Sequence, residues 1–399
     1  MYRKLIYAGV VSCSFKQAAQ SLETLAEVSL SEARVRRATL HIGEERMAER
    51  AAEVAAFEQM PLPEQKQCPE PVPAVSSSCV VVVEMDGGRL QERDRIAPER
   101  NTNGTFWRET KVGVLLTMQS KTAAVDPCPQ LPAVFLDHSE MRQIAREIKG
   151  FTTSNETTPS VAAADVASIT ATTTAQEKAR HGRPEPLVKT VVATRENVEA
   201  FGPMLASAAH ARGFHAAERK AFVSDGSSTN WGVWKKYFSH YTPITDFIHA
   251  LMYVYAAAMA AFDPQVAWAV YCEWAQWLWN GEVDKIIAAL ETRQSLLGVP
   301  DKNETGTPRA EIEKSLTYLR NQRGRMRYNE YRKQGLPITS CHVESTIKQI
   351  NKRMKGSEKF WSSGSEPLLA LVADQLCETS VVKKFWQRRQ ERTCYHQPL

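Results

Sequence analysis

The chain has 399 residues, 24% charged and 8% aromatic, a globular mix long enough for two or three domains. A formal charge of only +5 excludes a uniformly polybasic protein, so contact with a polyanion must come from local clusters. Eight scattered cysteines without a C-x-x-C pair exclude a zinc ribbon or disulfide framework, and the longest apolar run, the thirteen residues from Ala250 to Phe262, is too short for a bilayer, so the reading is a soluble cytoplasmic protein with reduced thiols and no membrane partner.

The opening MYRKLIYAGVVSCSF is only faintly like a signal peptide, because Ser12 interrupts its apolar stretch and no clean cleavage site follows. From 15 to 26, Phe15, Ala18, Ala19, Leu22 and Leu25 share one helical face. A second helix begins after Ser29 or Ser31 as N-cap, with Gly43 as stop signal. Its Val35, Ala38 and Ile42 face inward, and Arg34, Arg37 and His41 share another face. The pair predicts a helix-turn-helix within residues 1–60, with Arg34 and Arg37 touching DNA. An ordinary helical hairpin with solvated arginines is the plain alternative. Helix formers continue to about Gln59, and five prolines between 61 and 75 predict a stiff linker over 61–76.

SSCVVVVEMDGG follows, a strand buried on both faces that Gly87 and Gly88 end in a turn. RLQERDRI and FWRETKVGVLLTM read as second and third strands of a meander, and LDHSEMRQIAREIKGF as a helix. Residues 152 to 174 hold eleven Ser or Thr and no aromatic, which predicts a mobile insertion over 152–180. Order returns near Pro184 with a helix over ENVEAFGPMLASAAHARGF, a strand and a helix around Asp225, and a strand at TPITDFIHA. Residues 250–330 read as all-helical, and 331–399 as a helix with Glu344 followed by basic helices. The expected class is α/β, a mixed five-stranded sheet flanked by helices.

Asp86 and Asp225 each close a buried apolar strand and each precede Gly. Such an Asp-Gly is commonly just a turn. If the two strands are neighbours, both aspartates reach one rim, and a helix across that rim adds Glu344. Three converging carboxylates repel one another unless a cation lies between them, and Mg²⁺ or Mn²⁺ prefers such oxygen donors. Two ions in that cage can activate a water or 3′-hydroxyl against a phosphodiester. Glu344 would otherwise be half of an i,i+4 pair with Lys348, worth a few tenths of a kcal/mol. From Arg320 to Lys359 there are eleven Lys or Arg against three acids. Arg332, Lys348, Lys352, Arg353 and Lys355 in this stretch are candidate phosphate contacts.

VVVVEMDGGRLQERD, AFVSDGSSTNW, ITDFIHA and GLPITSCHVESTIKQINKRMKGSEKFW together resemble the signature blocks of DDE transposases from bacterial insertion sequences. The resemblance runs with gaps from the N-terminal helical pair to about Trp386. It departs at Thr339, Ser340 and Cys341, where many relatives have Gly-Ser-Gly. It implies an RNase H-like core between residues 77 and 249 and beyond, with 250–330 inserted. It implies Asp86, Asp225 and Glu344 as catalytic residues holding two Mg²⁺ or Mn²⁺ ions, strand cleavage and transfer of element ends, double-stranded terminal repeats and target DNA as partners, and a dimer or larger assembly.

Asp246 and His249 match the family's D-x-x-H, which implies a His249 contact to the scissile phosphate or a carboxylate brace; a satisfied structural histidine is the bland reading. Trp268, Trp274, Trp277 and Trp279 fit the core of a helical block better than base stacking. KKFWQRRQER predicts a basic helix without an assigned role. Two rivals share the sequence features: a structure-selective RNase H-like nuclease, and a catalytically inactive DNA-binding protein derived from a transposase.

Overall fold

The valine run forms a buried strand, yet the strand does not stop at the paired glycines. The computed structural model describes residues 1–66, 79–93, 107–149, 183–356, 361 and 364–395. In it β1 runs from Cys79 to Gln91 and pairs antiparallel with β2 (Trp107–Gln119). Gly87 and Gly88 stay in the ladder opposite Lys111 and Thr110. A Cβ on Gly88 would lie 2.6 Å from Thr110 Oγ1, so glycine here permits close cross-strand approach instead of a turn. The expected second strand therefore gives Arg89 to Gln91 to β1, and residues 94–106 lie outside the described ones. The place of the missing strand is taken by β3 (Glu185–Thr194), a segment the sequence reading passed over. With β4 (Arg219–Ser224) and β5 (Thr242–Thr245) the sheet has the order β3-β2-β1-β4-β5. The β2–β3 and β1–β2 pairs are antiparallel, while β1–β4 and β4–β5 are parallel. The class is α/β with a mixed five-stranded sheet.

The described helices are α1 (Tyr2–Val11), α2 (Phe15–Ala26), α3 (Glu32–Gln59), the single turn α4 (Leu62–Gln65), α5 (His138–Lys149), α6 (Val198–Ala211), α7 (Ser228–Tyr237) and α8 (Phe247–Ala261). They continue with α9 (Pro264–Trp279), α10 (Val283–Leu297), α11 (Pro308–Gln322), α12 (Tyr328–Lys333), α13 (Cys341–Met354), α14 (Ser365–Gln375) and α15 (Val381–Tyr395). None is long and apolar enough to cross a membrane. Most of the linker at 61–76 and the whole Ser/Thr-rich stretch at 152–180 lie outside the described residues.

Alternation along β1 sends Val81, Val83 and Met85 into one core, with Phe201 and Leu205 of α6. Val80 and Val82 enter the other, with Phe247 of α8 and Val343 and Ile350 of α13. Glu84 and Asp86 continue this second register, so the strand aims both carboxylates at the side where α13 lies.

At the N-terminus, Ser31 caps α3 by accepting from Arg34 N at 3.3 Å. Gly43 does not stop that helix. Its missing Cβ would sit 2.5 Å from the Pro367 carbonyl oxygen, so the glycine lets α3 press against the start of α14. Residues 2–11, ahead of the expected pair, are themselves a helix with Leu5, Ile6 and Val10 buried. Arg46 and Arg50 of α3 reach Asp374 of α14 at 2.8 and 2.9 Å. The basic C-terminal helix clamps the other flank of α3, with Arg389 2.6 Å from Glu45 and Arg388 paired to Glu49. In the helical block, Trp274 and Trp279 of α9 are buried core residues, and Trp268 and Trp277 pack against the same cluster.

Candidate functional site

The last paired rung between β1 and β4 is Met85 opposite Ser224, which sets Asp86 and Asp225 side by side just beyond it. Two apolar strands in parallel register deliver this proximity. Gly226 then turns the chain at φ +102, where a Cβ would be strained. Asp225 Oδ1 accepts from Ser227 N at 3.0 Å and Asn230 Nδ2 at 3.1 Å, which orients its carboxylate across the turn into α7. Tyr318 of α11 donates to the Asp225 carbonyl at 2.8 Å, so the helical block buttresses the same corner. Burial, and then the charge of Asp225, push Asp86 up to about 6.

The third carboxylate arrives on the first turn of α13, which two buried acids hold at its N-terminus. Asp246 is the N-cap of α8 and accepts from His249 N at 2.7 Å with Oδ1. Its Oδ2 accepts from Ser340 N at 2.6 Å and Ser340 Oγ at 3.0 Å, tying the β5–α8 junction to the residue before α13. Glu84 of β1, fully buried, accepts from Val343 N at 2.8 Å and lies 3.0 Å from His342 Nδ1. Burial opposes the charge on His342, but Glu84 and Cys341 together outweigh it and raise the imidazole to about 11.

Glu344 is thereby set into a crowd of like charges. Burial, then Asp246, with smaller contributions from Asp86 and Glu84, push it up to about 7 against the pull of His249. His249 Nδ1 stands 3.1 Å from Asp246 Oδ1 and 4.0 Å from Glu344 Oε1. Burial disfavours its charge, yet the hydrogen bond and charge of Asp246, aided by Glu344 and Asp225, raise it to about 9. At neutral pH it is an imidazolium. Among the described residues the ion-pair contact of Glu344 is therefore with His249, not with Lys348.

No protein-family model matches the chain, and no curated protein matches it. The site must be judged on its own geometry. Asp246, His249 and Glu344 place potential ligand atoms within 4.8 Å of one another. Asp246 is 1% exposed and both its oxygens are taken by hydrogen-bond donors, so this trio is a brace and not a cage with open oxygens. Asp86, Asp225 and Glu344 are each only partly buried, and among the described residues they do not bring their ligand atoms within 4.8 Å of one another as that trio does.

The basic candidates divide sharply. Arg34 and Arg37 are exposed on α3, while His41 on that helix is 3.1 Å from Glu45. Lys348 is half-buried and Lys352 exposed, one and two turns beyond Glu344 on the same helical face. Lys355 ends that row with Nζ 5.4 Å from the ring centre of the partly exposed Trp107. Two expectations need correction. Arg332 is buried, donates through Nε to Asp126 at 2.9 Å and lies 4.0 Å over the Trp279 ring, so it fastens α12 to the helical block instead of facing a phosphate. Arg353 is buried as well; it donates to the Gly9 carbonyl at 3.0 Å and stacks 4.5 Å over Phe15, tying α13 to the N-terminal helices.

Glu84 and His342 carry no role in the sequence pattern, and Ser340 figures there only as a departure from Gly-Ser-Gly. A single acid inside VVVVEMD was the available signal: a strand buried on both faces tolerates a carboxylate only where donors await it.

Proposed function

We propose that the chain is a DNA strand-transfer enzyme of the DDE transposase type on an RNase H-like core, with Asp86, Asp225 and Glu344 as its metal-binding catalytic carboxylates. The observation that supports the reading is the placing of Asp86 and Asp225 at the ends of adjacent parallel strands, with Glu344 on the helix packed over β1 and near enough for the charge of Asp86 to act on it. The strand order, three antiparallel strands extended by two parallel ones, accords with the RNase H-like arrangement.

The donor set fits Mg²⁺ or Mn²⁺. All three groups offer hard oxygen ligands, and Asp86 and Glu344 are raised first by burial and then by neighbouring carboxylates, both of which a divalent cation would offset. Bound there, two such ions would supply Lewis-acid polarisation of the phosphodiester and acidify the attacking hydroxyl. The chain's own residues do the rest. Asp225 is aimed by Ser227 and Asn230, and Glu344 by the tethers on the first turn of α13. His249 adds a fixed positive charge beside Glu344, suited to a phosphate oxygen. Lys348, Lys352 and Lys355 extend from the site as phosphate contacts, and Arg34 and Arg37 serve the proposed helix-turn-helix. Assembly as a dimer on paired DNA ends belongs to the same proposal.

The test begins with a search of the DNA on either side of the reading frame for inverted repeats, and then measures strand cleavage and joining on such ends in Mg²⁺ and in EDTA. Glu344→Gln should abolish both reactions at least 10³-fold while DNA binding persists. Joining by the variant at the wild-type rate would remove Glu344 from the mechanism, whereas a wild-type chain that binds the DNA but joins nothing in Mg²⁺ would favour the non-catalytic rival.

A further inference from the structure

We propose that Glu84 is a positioning residue for Glu344, fixing the distance between the catalytic helix and the strand that carries Asp86; this rests on the function proposed above. Glu84 is 0% exposed, in a strand whose neighbouring positions are valine and methionine. An apolar side chain would fill that position without the desolvation penalty of a buried carboxylate. Its contacts explain the acid. Oε2 accepts from Val343 N at 2.8 Å and Oε1 lies 3.0 Å from His342 Nδ1, so both oxygens are used on the first turn of α13.

The placement is specific in both directions. Glu84 precedes Asp86 by two residues and shares its face of β1, whereas His342 and Val343 immediately precede Glu344. One buried link therefore joins positions within two residues of two of the three carboxylates. Asp246 holds Ser340 from the side of α8, and the donors given for its two oxygens are His249 and Ser340 rather than residues of β1. Without Glu84, α13 keeps its apolar packing through Val343 and Ile350 but loses its polar register against β1. A displacement near 1 Å in such a constellation costs about 10²-fold in rate.

The experiment compares wild type with Glu84→Val, which restores an unbroken valine strand, and Glu84→Gln, which keeps an acceptor for Val343 N. Two quantities are read: amide hydrogen exchange in peptides spanning 341–346, and the Mg²⁺ concentration giving half-maximal strand cleavage. For Glu84→Val we expect exchange in 341–346 to quicken about tenfold with the rest of the sheet unchanged, and half-saturation by Mg²⁺ to rise about tenfold. Glu84→Gln should recover most of both. If Glu84→Val fails to fold, His342→Ala carries the test, because it removes one of the two links and leaves the strand intact; it is expected to quicken exchange in 341–346 selectively. Wild-type exchange and wild-type Mg²⁺ dependence in folded Glu84→Val, or in His342→Ala where it stands in, would overturn the proposal and leave Glu84 as filler. A wild-type chain that cleaves nothing in Mg²⁺ would sink the proposed function, whereas the exchange measurement would still decide whether Glu84 sets the helix.

Discussion

Replacing Glu344 by Gln should stabilise the protein in the absence of divalent metal, and the size of the effect follows from the crowding of the site. In the folded chain Glu344 is raised from an ordinary 4.5 to about 7 by burial and by Asp246, Asp86 and Glu84. A group raised on folding favours the native state in its protonated form. That advantage is complete below pH 4.5 and is lost as the pH climbs through 7. At pH 8 the ionised wild-type carboxylate thus costs about 3 kcal/mol relative to a neutral isostere, at roughly 1.4 kcal/mol per unit. With an unfolding entropy near 2 cal/mol/K per residue, that is about 4 °C in melting temperature for a chain of this length. Thermal melts of wild type and Glu344→Gln in EDTA at pH 4.5 and pH 8 provide the assay. We expect near coincidence at the lower pH and a higher midpoint for the variant at the higher. Millimolar Mg²⁺ should then raise wild type alone, by about 2.7 kcal/mol when the ion is a hundredfold above its dissociation constant. A wild-type protein as stable as the variant at pH 8 in EDTA would refute the idea that these carboxylates are forced together.

Four further outcomes follow from particular contacts. Asp246→Ala removes the acceptor shared by His249 N, Ser340 N and Ser340 Oγ, and should cost about 3 kcal/mol in urea denaturation, with Asp246→Asn costing less. Gly43→Ala forces a Cβ against the Pro367 carbonyl and should destabilise by about 1–3 kcal/mol, read in the same titration. Arg332→Ala leaves the partly buried Asp126 carboxylate without its guanidinium partner and should cost about 1–3 kcal/mol, while the DNA affinity of the folded fraction is unchanged. Lys352→Ala should do the reverse, leaving the melting temperature alone and lowering the salt slope of DNA binding by about one.

The amino-acid sequence alone determined the local pieces whose cause is local. Ser31 caps α3 because a hydroxyl there meets an unpaired backbone N–H three residues on, and that pattern is readable in any chain. The valine run and AFVS were legible as strands, with Asp86 and Asp225 at matched positions, since two-sided burial demands continuous apolar residues. What failed was each feature fixed by a partner distant in the chain. Gly43 and the Gly87-Gly88 pair carry the letters of a stop and a turn, but Pro367 and Thr110 make them points of close approach. β3 is preceded by Pro184, carries Pro186 at its second position and is interrupted by Lys189, so its pattern is weak; pairing with β2 is what makes it a strand. Arg332 and Arg353 look like the exposed lysines around them until Asp126, Trp279, Gly9 and Phe15 close over their guanidinium groups. Glu84 is the clearest case, because a buried carboxylate takes its meaning from its donors, and those lie more than two hundred and fifty residues away along the chain.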